Sequence, residues 1–124
     1  RWAEIKQNTI QGGSNIIKLR GRSSFQSPAY NAVKMIEAAM GGDKFTWPAG
    51  CYVNCDACGY KNVMMAMPTV IDATGVHFTK PEGTAQEMAD LQASYEHLCK
   101  MRDEIIELGI VPPVADWKKE NPNL

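Results

Sequence analysis

The chemistry this chain could perform rests on a serine-rich turn, four cysteines and two histidines. The turn reads Gly21-Arg22-Ser23-Ser24-Phe25-Gln26-Ser27-Pro28. By turn chemistry alone, Ser23 and Ser24 would serve a tight bend before a helix, and Ser27 would cap that helix. Cys51, Cys55 and Cys58 spell C-x3-C-x2-C, a spacing that suits thiolates around an iron–sulfur cluster, with Cys99 as a fourth ligand. Enzymes of that kind need a large barrel, which 124 residues cannot build. A zinc module would need a second closely spaced ligand pair, and Cys51 falls on an apolar strand face where a thiol packs as a small hydrophobe. No native metal is expected. A non-catalytic, cysteine-based metal- or thiol-binding module remains the alternative from another functional class. His77 and His97 stand in no motif with a partnered carboxylate and receive no catalytic role. Lys18, Arg20 and Arg22 lack interleaved aromatics for base stacking, so they read as a solvated or inter-domain face, with Arg22 alone adjoining the turn.

These side chains need elements to hold them. With 44% hydrophobic residues in 124, the chain can form one core, burying about 65% of its unfolded surface. A net charge of -1 offers no field for nucleic acid or anionic lipid, and no run reaches the ~18 apolar residues of a membrane span. A cytoplasmic protein with neither nucleic-acid nor membrane partner is expected. The start at Arg1 without methionine suits an excised fragment.

Helical spacing over Trp2 to Gln11 is expected to break at Gly12-Gly13, with Ser14 capping a second short helix that stops at Gly21. Ser27 as N-cap and Pro28 in the first turn open the next helix, which buries Ala29, Val33, Ile36 and Met40 and ends at Gly41-Gly42. Phe45, Trp47, Ala49, Cys51 and Val53 alternate as a half-buried strand. A loop over 54–60, a strand over 62–71, a turn at 72–75 and a return over 76–79 complete three successive antiparallel strands. Thr84 and Glu87 form a capping box for a long helix running to Gly109, with Met88, Leu91, Tyr95, Leu98 and Ile105 as its apolar stripe. Pro112 and Pro113 end it, leaving 114–124 as a surface tail. The fold class is α+β: helices packed on a three-stranded antiparallel sheet, with a long C-terminal helix.

Gly12 to Met40, and then FTWPAGCYVN and GYKNVMMAMPTVIDATGVHF in the same order, give the chain a family likeness. It resembles the substrate-binding C-terminal domain of NAD-dependent lactate/malate dehydrogenases, closest to the malate dehydrogenases. Arg22 departs from the commonest family spelling of the turn, whereas Gly59, Tyr60, Lys61 and Asn62 match the family's later Gly-apolar-Lys-Asp/Asn. The resemblance implies one substrate-binding domain over residues 1–113, the second half of a larger enzyme that interconverts malate and oxaloacetate with NAD. Lactate or another 2-hydroxy acid is the alternative substrate. It further implies that Ser23 lines the substrate pocket, that Ser27 approaches the cofactor, and that the enzyme is a homo-oligomer acting on a 2-hydroxy or 2-oxo acid. The family's catalytic His and nucleotide-binding domain correspond to sequence upstream of this chain, so this chain alone is expected to be inactive. The dinucleotide fingerprint G-x-G-x-x-G is absent, and Gly12-Gly13 opens no such unit.

Overall fold

The computed structural model describes residues 1–122 and 124. Its elements are α1 (Trp2–Arg20), α2 (Gln26–Ala39), β1 (Ala49–Cys55), β2 (Tyr60–Met67), β3 (Thr69–Asp72), β4 (Gly75–Phe78), α3 (Ala85–Glu107) and α4 (Val114–Glu120). They divide into two compact units, one of Arg1–Phe45 with Asp72–Thr74, the other of Thr46–Ile71 with Gly75–Leu124.

In the first unit, α1 runs unbroken through Gly12 and Gly13, where two helices were expected. A glycine costs a helix about 1 kcal/mol relative to alanine but forbids nothing, unlike proline. Ser14 therefore lies inside the helix and caps nothing; its hydroxyl donates to the Gln11 carbonyl at 2.9 Å. The expected stop at Gly21 holds: this residue is left-handed (φ 69°), and its N–H closes on the Ile17 carbonyl at 2.8 Å. Helix α2 starts earlier than Ser27, with Phe25 in the N-cap position and no side-chain cap. Its first backbone bond joins Ala29 N–H to the Phe25 carbonyl at 3.0 Å, so Ser27 and Pro28 both fall within the first turn, where backbone donors lack helical partners anyway. The anticipated buried stripe is also exposed: Val33 is 53%, Ile36 58% and Met40 82% accessible, and Ala38 is the buried residue of this helix. Phe45 is buried as expected.

The second unit contains the hydrophobic cluster. Strands β1 and β2 pair antiparallel, with Ala49, Cys51 and Val53 opposite Met67, Met65 and Val63, and all six are buried. This is the expected period-two alternation, although Trp47 lies outside it at 69% exposure, ahead of Pro48 and the strand. The register then shifts: Cys55 pairs with Tyr60, leaving Asn54 opposite both Lys61 and Asn62. The extra residue is a bulge, taken up by Asn62 at a left-handed φ of 54°. Without it Tyr60 and Val63, three positions apart, would point to opposite faces; with it both are buried. Helix α3 packs on β2 and lays Leu91, Tyr95, Leu98 and Cys99 against Cys51, Val53, Tyr60, Val63, Met65 and Met67. Its N-terminus has the full capping box: Glu87 N–H donates to Thr84 Oγ1 at 3.3 Å, and Thr84 N–H to Glu87 Oε2 at 2.8 Å.

The α+β architecture with its long closing helix is present, but the strands form two two-stranded ladders, β1-β2 and β3-β4, where one three-stranded sheet was expected. Pro68 interrupts the run between β2 and β3, since proline has no N–H to offer a ladder. The segment expected as a tail is also partly ordered. Pro113 stands in the N-cap position of α4, Trp117 Nε1 donates to the Pro112 carbonyl at 2.7 Å, and the indole ring meets Tyr52 at 6.2 Å between centroids. Pro112 and Pro113, expected to end α3, instead lead into α4: α3 has already closed at Glu107 with Gly109 left-handed beyond it, and a fixed φ suits a helix entrance. Position 123 of that expected tail lies outside the described residues.

Candidate functional site

The sequence points first to the connection between α1 and α2. Its geometry follows from Gly21, whose left-handed backbone turns the chain out of α1, and from two cationic contacts onto one aromatic ring. The guanidinium of Arg22 lies 5.2 Å and that of Arg20 6.0 Å from the Phe25 ring centroid. Arg20 Nη1 also donates to Gln26 Oε1 at 3.3 Å, tying the last residue of α1 to the first of α2. Ser23 sits exposed in this turn, Ser24 is half-buried, and Ser27 is exposed in the first turn of α2. The α2 N-terminus carries no acidic residue and no side-chain cap. Two guanidiniums and an uncapped helix N-terminus within a few residues make the turn locally electropositive, the sign that suits a carboxylate or phosphate. Sequence reasoning placed the serines but missed the pairing of both arginines with Phe25, which the i, i+3 and i, i+5 spacing of Arg22 and Arg20 to that residue could have suggested.

Ser23 and Ser27 belong to the first unit; His77, on β4, and His97, on α3, are exposed in the second. A groove of about 540 Å³ in the second unit runs along α3 and is lined by Glu96, Asp103, Glu104 and Glu107 beside Lys100. Four carboxylates against one ammonium repel an organic acid.

The cysteines separate. Cys51 is buried, with its Sγ 3.1 Å from Thr69 Oγ1. Four residues along a strand place Cys51 and Cys55 roughly 13 Å apart, too far to share a metal. Cys55 and Cys58 meet instead at the β1-β2 turn, Sγ to Sγ 2.8 Å, with Cys58 N–H donating to Cys55 Sγ at 3.2 Å. The thiol and backbone N–H of Cys58 hold the Cys55 thiol below its usual range, while contact with Cys55 and burial push Cys58 up. Cys99 is half-buried on α3; its thiol contact pushes the Tyr95 phenol up, and the Tyr95 ring tilts against Tyr60 at 4.9 Å. Among the described residues, no three His, Cys, Asp or Glu side chains gather so as to hold a metal ion. No helix among them is long and apolar enough to cross a membrane.

Comparison with known proteins gives a consistent picture. Residues 1–108 match the family model described as the lactate/malate dehydrogenase, alpha/beta C-terminal domain. A malate dehydrogenase of Desulforudis audaxviator (strain MP104C) is 30% identical over 96 residues, covering 76% of this chain and 31% of that protein. One from Geobacillus kaustophilus (strain HTA426) is 31% identical over 98 residues, covering 77% and 31%. One from Bacillus israeli is 28% identical over 108 residues, covering 86% of this chain and 34% of that protein. The chain thus spans about a third of the length of these relatives.

Proposed function

Since the chain belongs to the lactate/malate dehydrogenase family, as its alpha/beta C-terminal domain, we propose that it is the substrate-binding part of a cytoplasmic, NAD-dependent malate dehydrogenase interconverting malate and oxaloacetate. The substrate-binding domain comprises residues 1–113. The observation carrying this reading is the electropositive α1-α2 turn, with Ser23 exposed next to Arg22, which shares the Phe25 ring with Arg20. Ser23 would line the pocket wall, where a small hydroxyl can bond the acid directly or through water while leaving space for the reacting carbon. Ser27, in the first turn of α2, would face the cofactor.

The chain's own residues do not fit a whole dinucleotide. Binding the pyrophosphate takes a strand, a glycine turn and a helix N-terminus; Gly12-Gly13 lies inside α1, and Gly41-Gly42 follows α2 and precedes no helix. NAD is therefore assigned to the part of the enzyme outside this chain, and the proton-transferring group with it. The alternative within the class is lactate or another 2-hydroxy acid.

The test is Ser23→Leu in the full-length enzyme. Added bulk should lower kcat/KM for malate strongly while the circular dichroism spectrum stays unchanged; an unaltered kcat/KM would return Ser23 to a turn-forming role. We further propose that the enzyme is a homo-oligomer. Support comes from the exposed apolar residues of α1 and α2, among them Trp2, Ile10, Leu19, Val33, Ile36 and Met40. A 19-residue helix with a glycine pair and no buried side chain has little intrinsic stability in water, so its apolar residues call for a covering surface. A light-scattering mass equal to the monomer at every concentration would refute this.

A further inference from the structure

We propose that Cys55 and Cys58 form a redox-active dithiol that closes reversibly into a disulfide across the β1-β2 turn by exchange with small-molecule disulfides. The proposal rests on the arrangement of the hairpin and stands independently of the substrate assignment. The two sulfurs are 2.8 Å apart, so about 0.8 Å of approach reaches the ~2.05 Å of a disulfide. The turn that presents them is fixed by other contacts. Gly59, left-handed at φ 77°, donates its N–H to the Cys55 and Asp56 carbonyls, each at 3.1 Å, and Lys61 pairs with Asp56. Both thiols are half-buried and lean on the cluster beneath α3, so they combine partial access with a defined orientation. Cys51 is occupied elsewhere, at Thr69.

The roles within the pair are unequal. Cys55 Sγ receives the Cys58 backbone N–H and adjoins its thiol, contacts that favour the Cys55 thiolate against the opposing charge of Asp56. Cys58, near Lys80, is held protonated chiefly by Cys55. In the exchange, Cys55 gives its proton to solvent, and its thiolate attacks one sulfur of a small disulfide. That S–S bond breaks, and one small thiolate leaves and takes a proton. Cys58 then loses its proton and attacks Cys55 Sγ, and the mixed S–S bond breaks to release the second small thiol. Two protein thiols are oxidised and one small disulfide is reduced to two thiols. The loop closed is short and lies within one hairpin, so the fold is expected to survive either state.

The experiment equilibrates the reduced, folded protein with glutathione and glutathione disulfide, quenches in acid, labels remaining thiols with a maleimide and maps peptides by mass. Cys55 and Cys58 should leave the labelled pool together, joined to each other and released by dithiothreitol, while Cys51 and Cys99 stay labelled and the circular dichroism spectrum is unchanged. In Cys58→Ser a glutathione adduct should accumulate on Cys55; in Cys55→Ser, Cys58 should react more slowly than Cys55 does in Cys58→Ser, because Cys55 keeps the backbone N–H of residue 58 to favour its thiolate and Cys58 has no such donor. Four labelled thiols under oxidising conditions, or a bridge to Cys51 or Cys99, would overturn the proposal. Equal adduct rates in the two variants would overturn the role given to Cys55. The wild-type map alone decides the disulfide should either variant fail to fold.

Discussion

Replacing Arg102 by methionine should loosen the hairpin bulge without opening the core. Arg102 Nη1 donates to the carbonyls of Lys61 at 3.3 Å and Asn62 at 3.1 Å, the two residues that face Asn54 alone. A bulge interrupts the ladder locally, so α3 supplies a donor that the neighbouring strand does not. Methionine keeps the apolar stem and removes the guanidinium, leaving the half-buried Asn62 carbonyl without this donor. The two bonds are long and share one donor nitrogen, so their joint loss is expected to cost about 1–2 kcal/mol. The ion pair of Arg102 with the exposed Asp103 adds little, under ~0.5 kcal/mol. At an unfolding entropy of about 2.1 cal/mol/K per residue over 124 residues, this corresponds to a fall in Tm of roughly 4–8 °C. Thermal and urea unfolding followed by circular dichroism would measure it, with an unchanged m-value showing that the unfolded reference is preserved. A fall under about 1 °C, or an equal fall in Asp103→Ala, would refute the assignment to the bulge carbonyls.

Met67, 1% exposed at the end of β2, should cost about 2–4 kcal/mol when cut to alanine, read as a shift in urea midpoint. Acid should destabilise the chain partly through Asp72 and Glu87. The Thr74 hydroxyl and Lys44 hold the Asp72 carboxyl well below the usual range, and the Thr84 N–H and hydroxyl lower Glu87. Both contributions are complete above the ordinary carboxylate pKa of about 4 and fade as pH falls through the lowered values, so Asp72→Asn should flatten the acid limb of a stability-pH profile. An acid limb of unchanged slope would contradict this. The chain by itself should fold yet form no NADH from malate and bind no NAD at micromolar concentration; turnover in an absorbance assay, or binding by calorimetry, would place a cofactor site within it.

What the sequence made legible was local or strongly periodic. The Thr84-Glu87 box, the glycine stops at Gly21 and Gly109 and the alternation of Ala49, Cys51 and Val53 each follow from a few neighbouring residues. Three features depended on competition between comparable effects. A glycine pair weakens α1, but the helical ladder on either side continues through it. Ser27 has the chemistry of a cap, yet the cap falls on Phe25, because the first backbone bond closes onto that carbonyl. The bulge leaves only a faint trace in the sequence: Tyr60 and Val63 are both apolar at an odd spacing, which a regular strand with one buried face does not accommodate.

The serine turn and the cysteines were legible to different degrees for a related reason. Ser23 was singled out by the family resemblance; what its close neighbours Gly21, Phe25 and Pro28 made legible by themselves was the turn. The thiols depended on how a strand and a hairpin distribute one motif in space. In C-x3-C-x2-C the first interval runs along β1 and takes Cys51 to Thr69, whereas the second spans the turn and returns Cys58 to Cys55. The same spacing on a loop would have allowed three thiolates around one ion. On this hairpin it yields a buried thiol and a separate dithiol, so the chemistry open to the cysteines is set by the strand boundary at Cys55 more than by the motif.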